Sequence, residues 1–125
     1  YADTSIRFVG RIYDKHALYS LRHYASIYFH GHSVGGTNPS LLEAMASQAF
    51  IIAHDNEFNG SVCGENAYYF TSKEDVSSLI LANRDGDDME RKKMIQQNFR
   101  TVYQDYSWNH IVESYENLFM SGMQF

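Results

Sequence analysis

The chain has 125 residues, a formal net charge of -5, 44% hydrophobic residues and 15% aromatics. That length bounds one domain at most, and the apolar content excludes a disordered or low-complexity chain and supports a real core. The acidic balance argues against a nucleic-acid partner or a general electrostatic grip on an anionic membrane. The single Cys63 cannot form an internal disulfide, which fits a reducing compartment. No apolar run approaches the roughly 20 residues of a membrane span, so a cytoplasmic location is expected, membrane-peripheral at most in a longer protein. The chain starts at Tyr1, without Met, almost directly in a strand-like run, the pattern expected of a fragment.

Short apolar runs alternate with helical patterns. Ser5–Gly10 reads as a strand. Asp14–Ala25 reads as a helix, with Ala17, Leu18, Leu21 and Ala25 at spacings of three and four. Ser26–His30 is a second strand, followed by the Gly-rich turn Gly31–Asn38. Pro39–Gln48 is a helix, Phe50–Ala53 a third strand, Asp55–Glu65 a polar loop and Ala67–Phe70 a fourth strand. Ser72 caps a helix, with Asp75 at the third helical position. Asp88–Tyr106 carries the stripe Ile95, Phe99, Val102 and Tyr106. Ser107 caps a last helix carrying Trp108, Ile111, Val112, Tyr115, Leu118 and Phe119. That wide stripe either packs on the chain's own core or packs on a further part of a longer protein, in whose absence it would drive self-association. The alternation predicts an α/β fold: a Rossmann-like parallel sheet of about four strands flanked by helices, with ligands bound beyond the carboxyl ends of the strands.

The stretch Gly31–Ala46 carries the chemistry and supports two readings. In the first, Gly31-His32-Ser33-Val34-Gly35 is the nucleophile elbow of a serine hydrolase, with Asp55 and His110 following in the required order. Against it, Asn38-Pro39 marks the helix start, as N-cap and first helical residue, whereas an elbow helix begins at the nucleophile. In the second, the turn is an anion site. Gly35 and Gly36 allow close approach and positive φ, and the helix start offers N–H groups and a positive dipole end. Thr37 and Ser40 add hydroxyls, while Glu43, about one turn in, can accept hydrogen bonds from ligand hydroxyls. A phosphate at the helix end and a diol one turn along describe a nucleoside diphosphate.

Gly35-Gly36-Thr37-Asn38-Pro39-Ser40-Leu41-Leu42-Glu43-Ala44-Met45-Ala46 resembles the donor-site motif of the retaining glycosyltransferases of family four, of the GT-B class with two Rossmann-like domains. Within that family it is most similar to a bacterial subgroup of polysaccharide and rhamnosyl transferases. Phe8–Asp14, Ile51–Asn59 and Gly64–Phe70 resemble the neighbouring segments of the same domain. The resemblance implies a fragment, residues 1–125, of the C-terminal nucleotide-sugar-binding domain. The acceptor, a glycan or lipid-linked sugar, would bind an upstream domain, and no metal or other cofactor would be needed. Glu43 would hold the ribose hydroxyls. Gly35, Gly36, Thr37, Asn38 and Ser40 would face the phosphates and donor sugar, with His32 and Ser33 at the mouth of the site. The family's first Glu is absent: Gly35 stands eight positions before Glu43. Gln48 stands where the family ends its helix with Gly, so that turn is expected to differ. A nucleotide-sugar epimerase or a non-catalytic nucleotide-sugar-binding module on the same fold is the remaining alternative.

Arg11, only 32 residues before Glu43, is too close to be the family's diphosphate clamp and is read either as a residue of a later ligand loop or as a surface charge. His54 ends a strand near the site and is a further donor-side candidate, with Glu57-Phe58-Asn59 shaping the same loop. His30, His32 and His54 lack an Asp, Glu or Cys at ligand spacing, so no metal site is expected. Cys63 is read as inert, Asp85-Gly86-Asp87-Asp88 as a turn, and Arg91-Lys92-Lys93 as a solvated helix face.

Overall fold

The computed structural model describes residues 5–86 and 88–123. Six helices and three strands follow in the order α1 (Lys15–Tyr24), β1 (Tyr28–His30), α2 (Pro39–Ala46), β2 (Ile51–His54), α3 (Glu57–Cys63), β3 (Tyr68–Phe70), α4 (Lys73–Asn83), α5 (Met89–Asp105) and α6 (Trp108–Gly122). The strands form one parallel sheet in the order β1-β2-β3, with Tyr28 opposite Ile51 and Ile52 opposite Tyr68. β2 is central, and its Ile51, Ile52 and Ala53 are fully buried, as a parallel strand covered on both faces requires.

Period-two alternation sends the two faces of the sheet into separate cores. Ile51 and Ala53 pack with Leu41, Ala44 and Met45 of α2 and with Val62 and Cys63 of α3. Phe50 and Ile52 pack with Met94, Leu79 and Tyr68 on the opposite side. The helices begin where side chains satisfy their first amides. Asp14, Asn38, Asn56, Asp88 and Ser107 each accept a hydrogen bond from an N–H in the turn they cap. Ser72 caps α4 as expected and forms a reciprocal capping box with Asp75, and the hydrogen bonds from Thr71 and Ser72 pull the Asp75 carboxyl down to about 2.

Several expectations are corrected. The sheet has three strands among the described residues, not four. Ser5–Gly10 is exposed coil, with Phe8 at 85% accessibility, because strand propensity yields no strand without a neighbouring backbone to pair with. Asp55–Glu65 is not a loop throughout: residues 57–63 form α3, capped by Asn56 and closed by Gly64 at φ 53°. Ala17 and Leu21 of α1 are exposed, and Leu18 and Arg22 turn toward α2 instead. Gln48, just after α2, adopts a left-handed conformation, φ 58°. Arg91 is no solvated charge. Its guanidinium lies 4.4 Å from the Phe50 ring centroid and donates to the carbonyls of Ser26 and Gly86. Asp87, a member of the expected turn Asp85-Gly86-Asp87-Asp88, lies outside the described residues. No residue of α6 is buried, so its apolar stripe does not pack into the core, and Trp108, Leu118 and Phe119 stand exposed. No helix among the described residues is long and apolar enough to cross a membrane.

Candidate functional site

Residues 31–37 are exposed and begin at the carboxyl end of β1, where open parallel sheets bind ligands. Gly35 has φ 100°, a conformation that L side chains rarely adopt. Gly36 does not share the positive φ expected of it. A Cβ added at Gly31, Gly35 or Gly36 would meet nothing within 4 Å, so the outer surface of the turn is open.

The start of α2 is less available than its sequence suggests. Pro39 has no N–H, the Ser40 amide donates to Asn38 Oδ1 at 2.9 Å, and the Leu41 amide donates to the Asn38 carbonyl at 3.0 Å. The cap thus already satisfies the donors anticipated for an anion. The amides of Gly35, Gly36 and Thr37 have no partner among the described residues and are the donors that remain.

The turn is anchored from below. The His32 carbonyl accepts from Asn56 Nδ2 at 3.0 Å and from Asn59 Nδ2 at 3.1 Å. Asn59 Nδ2 also donates to the His54 carbonyl at 2.9 Å. Two asparagines of the β2–α3 segment thereby join His32 and His54, two of the anticipated residues. The His54 ring lies edge-on to Phe70, 5.6 Å away. His32 stacks on His30 at 5.1 Å, and His30 is buried with its Nε2 unpartnered. Burial first, and then the neighbouring His32, lower the His30 pKa and favour the neutral ring.

Glu43 is paired with α1. Its Oε2 accepts from Arg22 Nη1 at 2.8 Å, at a groove between α1 and α2 lined by Lys15, Leu18 and Tyr19 on the α1 side. No sequence period links Arg22 to Glu43, so this pairing was not legible in the sequence. Arg11 lies in the exposed coil ahead of α1, with no ion pair to the turn. Ser33 lies in irregular backbone just ahead of the bend at residues 34–37, and α2 begins six residues after it at Pro39, so the strand-to-helix elbow of a hydrolase is not formed. Cys63 is buried, and burial pushes its thiol up to about 12, consistent with an inert side chain. Among the described residues, no three His, Cys, Asp or Glu side chains group as metal ligands would. Searches of protein-family models, curated proteins and solved structures find no match to this chain.

Proposed function

We propose that the chain binds the nucleoside diphosphate part of a nucleotide sugar and belongs to a retaining glycosyltransferase of polysaccharide or glycan assembly. The observation that carries this reading is the exposed turn beyond the carboxyl end of β1, with the unpartnered amides of Gly35, Gly36 and Thr37 ahead of a helix bearing Glu43. Backbone amides in such a turn hold phosphate oxygens, and in a transferase they would stabilise the leaving diphosphate. Glu43 would accept the pentose hydroxyls, and Thr37 and Ser40 would add hydroxyl donors. His32, Ser33 and His54 would stand at the donor-sugar side, with Asn38 shaping the helix start. The reading assigns acceptor binding to a second domain in a cytoplasmic enzyme.

Titration of the chain with nucleoside diphosphates, followed by amide NMR, tests this reading. The expected result is saturable shifts at Gly35, Gly36, Thr37 and Glu43 at millimolar ligand. Silence of those amides would contradict it.

The exposed α6 stripe supports a second element of the proposal, self-association of the chain. Trp108, Leu118 and Phe119 are 80%, 64% and 65% accessible, a concentration of large apolar groups that isolated surface residues do not produce. Sedimentation velocity is expected to show concentration-dependent association that Phe119→Glu abolishes. A wild-type chain that stays monomeric at high concentration would contradict this element alone.

A further inference from the structure

We propose that Arg22 is a positioning residue that holds the Glu43 carboxylate ready for the pentose hydroxyls of the nucleotide, an inference that rests on the nucleotide reading above. The two side chains are unequal partners. Arg22 is only 12% exposed and Glu43 is 58% exposed. The guanidinium is held on two sides, by Glu43 Oε2 at 2.8 Å and by the Tyr28 ring, whose centroid lies 5.9 Å from its central carbon. Tyr28 is itself packed against the buried cluster around Leu41, Ala44 and Met45. Arg22 is therefore the fixed member, tied to the core, and Glu43 the member it restrains.

An ion pair with one exposed partner contributes little to stability, so its main consequence is orientation. A glutamate on an open helix surface samples several rotamers and must be ordered when a ligand arrives. One already pinned by a planar guanidinium avoids that cost. The restraint occupies Oε2 and leaves Oε1 free, with two lone pairs, to accept from hydroxyl groups at the α1–α2 groove. Hydrogen bonds accepted by a carboxylate oxygen are of the stronger, charge-assisted kind.

The experiment measures affinities of adenosine, guanosine, uridine and thymidine diphosphates, each beside its counterpart lacking the pentose ring hydroxyls, for the wild-type chain and for Arg22→Met. Methionine keeps an unbranched stem against Tyr28 and removes the charge. Wild type is expected to prefer one hydroxylated nucleotide by about tenfold or more, the contribution of a charge-assisted hydrogen bond. In Arg22→Met that preference should fall to about threefold or less, while affinity for the dehydroxylated counterpart stays unchanged. A structural strut alone would not change this ratio, because lost folding lowers both affinities together. If circular dichroism shows Arg22→Met unfolded, Arg22→Lys is measured instead. Its point charge is expected to keep the fold and lower the preference about threefold. An intact preference in the folded variant overturns the positioning role and leaves the nucleotide reading standing. Equal wild-type affinity for both members of every pair removes the hydroxyl-binding role of Glu43, and the proposal with it. No wild-type binding at all overturns the nucleotide reading itself.

Discussion

Replacing Asn59 with Asp is expected to cost about 3–5 kcal/mol of folding free energy at neutral pH, although the two side chains have nearly the same shape. Asn59 is 4% exposed, and its Nδ2 donates to the carbonyls of His32 and His54. An ionised aspartate has no donor, so both carbonyls lose this hydrogen bond and a buried negative charge faces their partial negative charges. The pH dependence identifies the mechanism. Burial and the two carbonyls raise the folded-state pKa of the new carboxyl above its unfolded value. The protonated form contributes stability that is present below the unfolded pKa and lost as pH rises through the folded one. The variant should therefore recover part of its deficit as pH falls, the reverse of the usual acid destabilisation. Urea unfolding followed by circular dichroism between pH 8 and the acid range measures this directly. A variant within about 0.5 kcal/mol of wild type at pH 8 would show that the Asn59 clamp contributes nothing. Loss of the clamp should also broaden the amide signals of the 31–37 turn, since only the Asn56 hydrogen bond at 3.0 Å would still hold the His32 carbonyl.

The elements that were legible in the sequence are those whose signals are local. Asn38-Pro39, Ser72 with Asp75, and Ser107 announce helix starts because a cap acts within three residues of itself. Ile51–His54 was recognisable within one residue because a short, branched apolar run suits a strand covered on both faces. What was not legible depends on partners distant in the chain. Ser5–Gly10 has strand composition, yet pairing decides, and no strand lies alongside it in the sheet. α3 is seven residues long with Gly60 inside it, too short and too glycine-rich for a periodic signal. Its residues include Asn59, expected to shape the loop after His54, while its helical setting and its hydrogen bond to the His32 carbonyl were not expected.

The site divides the same way. The Gly-rich turn and its position after a strand follow from local sequence. The direction of Glu43 follows from Arg22, 21 residues earlier, which no spacing rule reveals. The start of α2 has few free donors, for a local reason that composition alone conceals. Asn38 and Pro39, the two residues that best announce the helix, also consume or remove its first donors. The amides left without a partner among the described residues are those of the turn, at Gly35, Gly36 and Thr37.

Leu41→Ala provides the complementary prediction, because it reaches the turn through packing rather than through hydrogen bonds. Leu41 has no solvent exposure and lies in the first turn of α2, within the cluster formed by Ala44, Met45, Ile51, Ala53 and Val62. Truncation to Ala removes buried methyl groups and leaves a cavity, at a cost of about 3–4 kcal/mol. That is a large share of the roughly 5–15 kcal/mol that folds a domain. Thermal and urea unfolding should both register it, whereas Leu41→Met, which conserves volume, should cost less than about 1.5 kcal/mol. The effect on the site should be disproportionate. α2 has only eight residues, too few to hold a helix without tertiary packing. Leu41 is the first buried residue after the Asn38 cap, so its loss frees the cap and the turn together. Hydrogen exchange at the α2 amides should therefore accelerate more in Leu41→Ala than at the β2 amides of Ile52 and Ala53, which are held by the neighbouring strands on both sides. Equal acceleration in both places would mean that α2 opens only when the whole sheet does, and that the turn is as rigid as the core beneath it.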